Sequence, residues 1–147
     1  MEQFSEKLKK ILLKFLMLDT PKFSKIILKK EVAENICEFA KQLHPKEFVA
    51  IIEGKVKDEQ LRITDLYYQE FVSSYHSASF SNFLPSVASG IGTVHSHPSS
   101  NTKPSNADLF FFSKKGLIHF IIGFPYTEEN IVCYDFNGNE LVFSINS

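Results

Sequence analysis

The sequence has little that would place it in a membrane, outside the cell or on nucleic acid. No apolar run approaches the roughly 20 residues needed to cross a bilayer. The amino terminus shows no secretory cleavage pattern, so a cytoplasmic location is expected. There are only two cysteines, Cys37 and Cys133, both in apolar stretches that suit buried thiols in a reducing compartment better than a disulfide. Net charge is -1, which removes any global electrostatic case for a nucleic-acid partner. Arg62 is the only arginine, a compositional trait that says little about chemistry, and no internal repeat is present.

What the chain does have is material for one core. Its 147 residues are 44% hydrophobic and include 15 phenylalanines, enough for a single well-filled domain. Charge is unevenly spread, since residues 1–30 hold eight lysines against Glu2, Glu6 and Asp19, a local charge of +5. In this region Phe4, Leu8, Ile11, Leu12, Phe15 and Leu16 recur at helical spacing, with Lys7, Lys9, Lys10 and Lys14 between them. The spacing predicts a basic amphipathic helix over 3–18, ended by Asp19-Thr20-Pro21. Residues 1–20 are therefore expected to be an extension that packs on the body or on a second copy, with docking to a membrane surface or partner as the alternative. Residues 21–147 would form the main domain.

Within that domain, strands are expected over 25–28, 48–52, 61–67, 91–97, 119–124, 131–136 and 141–145, with helices over 30–43 and 105–115. Glu53-Gly54 is expected to close the strand at 48–52, and Asn137-Gly138 to turn a hairpin between the last two strands. Residues 71–89 resist assignment. Mixed strands and helices in this order predict an α/β fold, a mixed β-sheet flanked by helices.

The densest chemistry is His95-Ser96-His97-Pro98, followed by Ser105 and Asp108. On a strand, residues two apart point to the same side, so both imidazoles can reach one ion. Catalytic zinc takes three protein ligands and keeps a fourth position for water; His95, His97 and Asp108 supply that number. Pro98 cannot donate a backbone hydrogen bond and should stop the strand just beyond the pair. A simpler explanation exists for Ser105-x-x-Asp108 before Leu109-Phe110-Phe111-Phe112, namely a helix cap with an acidic third residue. His44 fits a helix-end cation, whereas His76 and His119 fit surface or packed histidines. Ser96 lies on the opposite face from the pair and can fix the strand or line the site.

The run His95-Ser96-His97-Pro98, the seven residues from Pro98 to Pro104, and Ser105-x-x-Asp108 resemble the signature of the JAMM (JAB1/MPN/Mov34) metalloprotease family. The family carries a glutamate just before the first core strand, and Glu47 in His44-Pro45-Lys46-Glu47-Phe48 fits that place. The resemblance spans about residues 25–145. Ala50 stands where the family often has glycine, and the serine-rich stretch after Phe71 is shorter than in eukaryotic deubiquitinating members. It implies a single MPN-like, cytidine-deaminase-like α/β domain holding one zinc ion on His95, His97 and Asp108. It further implies Glu47 as general base on a zinc-bound water and as proton donor to the leaving amine, with Ser105 as a second donor to the developing oxyanion. The implied activity is hydrolysis of the amide bond after the carboxy-terminal Gly-Gly of small ubiquitin-like modifiers or their conjugates, as in a deubiquitinase-like isopeptidase. Processing of sulfur-carrier proteins and a non-catalytic scaffold are the other roles considered. Neither nucleic acid nor membrane is an expected partner, and a homodimer is left open.

Overall fold

Only Val142 and Phe143 separate the two edge strands of an eight-stranded sheet, so the sheet has to curl. Three residue steps reach at most about 11 Å, against about 34 Å for seven strand spacings laid flat. The computed structural model describes residues 2–15, 22–68, 90–113 and 116–147. Its elements are α1 (Glu2–Phe15), β1 (Lys25–Lys29), α2 (Lys30–Leu43), β2 (Val49–Lys57), β3 (Gln60–Tyr68), β4 (Gly90–His97), α3 (Asn106–Phe112), β5 (Ile118–Gly123), β6 (Ile131–Asp135), β7 (Glu140–Leu141) and β8 (Ser144–Asn146). A 3-10 turn at Glu128–Asn130 precedes β6. The strand order is β7-β6-β5-β4-β2-β3-β1-β8, with β4–β5, β1–β3 and β1–β8 parallel and the other pairs antiparallel.

Each face of the sheet has its own cover. Helix α2 turns Val32, Ala33, Ile36, Cys37 and Ala40 toward Ile26, Leu28, Phe48, Ala50, Ile52, Val94, Phe120 and Ile122. On the other face, α3 brings Phe112 against Ile121 and Tyr134. Strand β5 lies between the two layers, and all six of its residues are buried, which explains its nearly unbroken apolar run. Cys37 and Cys133 are buried free thiols. No helix among the described residues is long and apolar enough to cross a membrane.

Three expectations are corrected. Strand β2 does not stop at Glu53-Gly54 but continues to Lys57, with a register shift at that point. A Cβ on Gly54 would stand 2.1 Å from the Arg62 carbonyl oxygen, so the glycine marks a bulge where backbones approach closely rather than a strand end. The segment 141–145 is two strands: β7 pairs with β6, then the chain turns at the exposed Val142 and β8 joins β1. The expected hairpin at Asn137-Gly138 forms between β6 and β7, closed by Asp135 and Asn139 around a three-residue loop with Gly138 at φ 83. Helix α3 has seven residues, shorter than the 105–115 expected, with Ser105 and Ser113 as its caps. Among the described side chains of α1, Leu8, Ile11 and Leu12 are each more than half exposed. Residues 16–18, His76 and the difficult stretch 71–89 lie outside the described residues.

His119 is a packed histidine, fully buried, stacked on Phe112 at 4.1 Å and 5°, with Nδ1 2.7 Å from Thr93 Oγ1. Burial, aided by the charge of His95, drives its pKa down to about 3, only partly opposed by the Phe112 backbone and Asp135. The unfolded chain, with an ordinary histidine pKa near 6.5, then takes up this proton first. His119 therefore contributes fully above about pH 6.5, and its contribution falls as pH drops toward about 3. Urea unfolding of wild type and His119→Phe at pH 6.5 and 4.5 should show a loss smaller by about 2–3 kcal/mol in the variant. Equal losses in the two proteins would exclude His119 as the source.

Candidate metal centre

Strand alternation sorts the residues of β4 onto two faces. Val94 joins the core under α2 and Ser96 points the same way, while Thr93 and His95 face α3, where Thr93 meets His119 and His95 meets Phe112 at 6.0 Å. His97 follows His95 on that side and closes the strand, with Pro98 next. Helix α3 then brings Asp108 over the pair. His95 Nε2 lies 3.1 Å from Asp108 Oδ1, His97 Nε2 lies 3.4 Å from Asp108 Oδ2, and the two Nε2 atoms are 3.1 Å apart. Ligand atoms about 2.0–2.1 Å from a tetrahedral zinc stand about 3.3 Å from one another. The three residues fit such an ion, and the donor set of two imidazoles and a carboxylate suits zinc.

Neighbouring groups prepare these donors. His97 Nδ1 donates to the Asn101 carbonyl at 2.8 Å, a bond that fixes the tautomer and leaves Nε2 as the metal-facing atom of the neutral ring. Its pKa is raised by the hydrogen bond to Asp108, against burial, with the Asn101 carbonyl and the charges of Asp108 and Glu47 adding to the rise. Burial alone would raise the Asp108 pKa. Hydrogen bonds with His95 and His97, the charge of His95 and the Ser105 N–H more than reverse this and hold the carboxyl well below the usual range. Ser105 N–H and Oγ–H both donate to Asp108 Oδ2 at 2.7 Å, and Asp108 N–H donates to Ser105 Oγ at 3.1 Å. The helix-cap and metal-ligand explanations of Ser105-x-x-Asp108 therefore describe one arrangement, because the capping box holds the carboxylate in place.

Glu47 reaches the same face through pairing. Val49 pairs with His95, and the Ser96 N–H donates to the Phe48 carbonyl at 3.1 Å. Glu47, two residues before Val49, lies close enough for its charge to help raise the pKa of His97. Phe48, Ala50 and Ile52 turn into the core instead, leaving Glu47 exposed on the metal side. The Ser96 hydroxyl accepts from the buried Phe48 N–H at 3.0 Å, so the residue between the two histidines fixes the strand that follows the glutamate.

Residues 29–136 match the family described as prokaryotic homologs of the JAB domain. The chain belongs to this family. A relative from Haloferax volcanii, named "Probable metalloprotease", is 33% identical over 109 residues, 69% of this chain and 67% of its own. A solved structure described as JAMM, a metalloprotease-like zinc site in the proteasome and signalosome, is 30% identical with a TM-score of 0.64, covering 84% of this chain and 100% of that one. A JAB1/MPN domain protein from Archaeoglobus fulgidus is 28% identical with the same TM-score, 0.64, over 84% and 99% of the two chains. The domain is thus a single α/β JAMM-type metalloprotease-family fold.

His44 has a partner that the sequence did not disclose. It is the C-terminal cap residue of α2, and its Nδ1 lies 2.7 Å from the Tyr126 hydroxyl, 82 positions away. Phe124 flanks the same ring at 5.4 Å. The only local hint was Phe124-Pro125-Tyr126, an aromatic pair around a proline just after a buried strand.

The Ser96–Phe48 bond makes a stability prediction. Ser96→Ala leaves the buried Phe48 N–H without its side-chain acceptor, at a cost of about 1–3 kcal/mol. Chemical denaturation should show this loss while zinc stoichiometry is retained, because the Ser96 side chain faces away from the ligands. A variant as stable as wild type would contradict the assignment.

Proposed function

We propose that this JAB-domain protein is a zinc metalloprotease that hydrolyses the amide bond following the carboxy-terminal Gly-Gly of small ubiquitin-like modifiers. The observation that carries the reading is the spacing of His95, His97 and Asp108, whose facing atoms are 3.1–3.4 Å apart, with the charge of Glu47 acting on His97. His95, His97 and Asp108 would hold the ion. Zinc, when bound, polarises a carbonyl and brings the pKa of bound water toward about 7.

The chain's own residues then have a proton to manage. An amide cleaves when a water oxygen bonds to the carbonyl carbon and the carbon–nitrogen bond breaks. The leaving nitrogen, for a lysine of reference pKa about 10.4, must depart protonated. Glu47 takes the proton from the attacking water on its carboxylate and delivers it to that nitrogen. Ser105 holds Asp108 through its hydroxyl, and turning that O–H toward a developing oxyanion exchanges one charged acceptor for another. An extended Gly-Gly tail, with no side chains to exclude, suits a site set beside a strand end.

The test is zinc analysis combined with cleavage of a linear fusion in which a β-grasp modifier ending in Gly-Gly precedes a reporter protein. One zinc per chain, loss of cleavage with a chelator and recovery with zinc are expected. Glu47→Gln should keep the metal and lose turnover by about 10²- to 10⁴-fold. Undiminished turnover in that variant would overturn the assigned base, and a carefully purified chain without zinc would point to a scaffold.

A further inference from the structure

Glu47 sits on a five-residue bridge, 44–48, between the end of α2 and the start of β2. Downstream, the bridge is tied to the ligand strand by the reciprocal Phe48–Ser96 hydrogen bonds. Upstream, α2 ends with the His44 N–H donating to Ala40, and the Lys46 N–H donates back to Leu43 at 2.8 Å. These local bonds turn the chain but do not connect it to the metal side of the sheet. The connection is made by His44 Nδ1 and the Tyr126 hydroxyl, 2.7 Å apart, with ring centroids 5.5 Å apart.

Tyr126 is itself anchored to the ligands. Its turn grows from the end of β5, where Gly123 pairs with His97. The Tyr126 N–H donates to the Gly123 carbonyl and the Phe124 N–H to the Ser99 carbonyl, each at 2.9 Å, so the turn is bound both to β5 and to the loop that leaves His97. Tyr126 is buried, at φ 65, a left-handed conformation that is unfavourable for an aromatic residue and persists where surrounding contacts over-determine it. Burial and then the charge of Glu47 raise the phenol's pKa above its ordinary value, so the hydroxyl keeps its proton and can donate to His44.

We propose that the His44–Tyr126 pair is a positioning clasp for Glu47, fixing the upstream end of its bridge against the strand end that carries His97, as Ser96 fixes the downstream end. A carboxylate that must meet both a water and a leaving nitrogen needs this two-sided restraint, since a displacement of about 1 Å can cost about 10²-fold in rate. The inference rests on the reading of Glu47 as the base.

Two measurements on the zinc-loaded full chain test it. In amide hydrogen exchange, Tyr126→Phe, which removes one hydroxyl and keeps the ring, should speed exchange in residues 44–48 and leave β4 and β5 unchanged. His44→Ala should do the same, and His44→Asn, which keeps a hydrogen-bonding group near the Nδ1 position, should restore protection. With the Gly-Gly fusion as probe, Tyr126→Phe should lower kcat about tenfold at constant KM and zinc content, with His44→Asn within about threefold of wild type. Added to Glu47→Gln, the same Tyr126→Phe change should cost less than about twofold, because the clasp acts through the carboxylate. Unchanged exchange at 44–48, or an equal kinetic loss in both backgrounds, would overturn the clasp. Full turnover by Glu47→Gln, or no cleavage by wild type, would instead refute the reading of the base or substrate, and the exchange measurement would still decide whether the clasp exists.

Discussion

The register of β4 between β2 and β5 is the constraint on which the metal centre depends. His95 is paired with Val49 on one side and Ile121 on the other, and those two pairings decide which residues look toward α3. A slip of one position would turn Ser96 outward and bury both imidazoles in the α2 core. The register is guarded by size as well as by hydrogen bonds. A Cβ on Gly92 would stand 1.7 Å from the Ile118 carbonyl oxygen, so only glycine allows β4 and β5 to approach where their pairing begins. The pairing that places His95 opposite Val49 also brings Glu47, two residues earlier, within electrostatic reach of His97.

The third ligand comes from a different kind of element, and its placement depends on packing. A helix of seven residues is not stable alone. Helix α3 is held by the Ser105 capping box at one end and by Phe112 at the other, where the ring lies flat on the neutral, buried imidazole of His119 and also contacts His95. The neutrality of His119 matters, since a second cation beneath the centre would oppose a bound metal ion. Burial keeps it uncharged across the physiological range. The capping box adds a second economy, because the bonds that satisfy the first turn of α3 also orient the carboxylate that would meet the metal.

Much of this was legible in the chain because short-range rules governed it. The spacing of His95 and His97, the stop at Pro98 and the cap at Ser105 each follow from local geometry, and α2 appears at its expected limits, Lys30–Leu43. Errors arose where a residue had two meanings. Gly54 looked like a strand end but serves a close approach between strands, and Val142 and Phe143 looked like strand residues but sit at the corner that passes the chain from one sheet edge to the other. The His44–Tyr126 contact was hidden for another reason. It joins positions 82 apart, and neither residue alone shows a pattern that requires the other.

Two imidazole nitrogens 3.1 Å apart beside a carboxylate form a cluster that needs a hydrogen or a metal ion between the nitrogens, since two bare lone pairs at that distance would repel. A ring proton and a metal ion therefore compete for one place. The raised pKa of His97 and the lowered pKa of Asp108 express the same preference, since the carboxylate stays ionised and holds a cation near it. Coordination number bears on why Glu47 stands outside the three-residue cluster. A fourth donor in direct contact would close the coordination position that a catalytic ion keeps for water. Glu47, exposed and near enough for its charge to act on His97, leaves that position open.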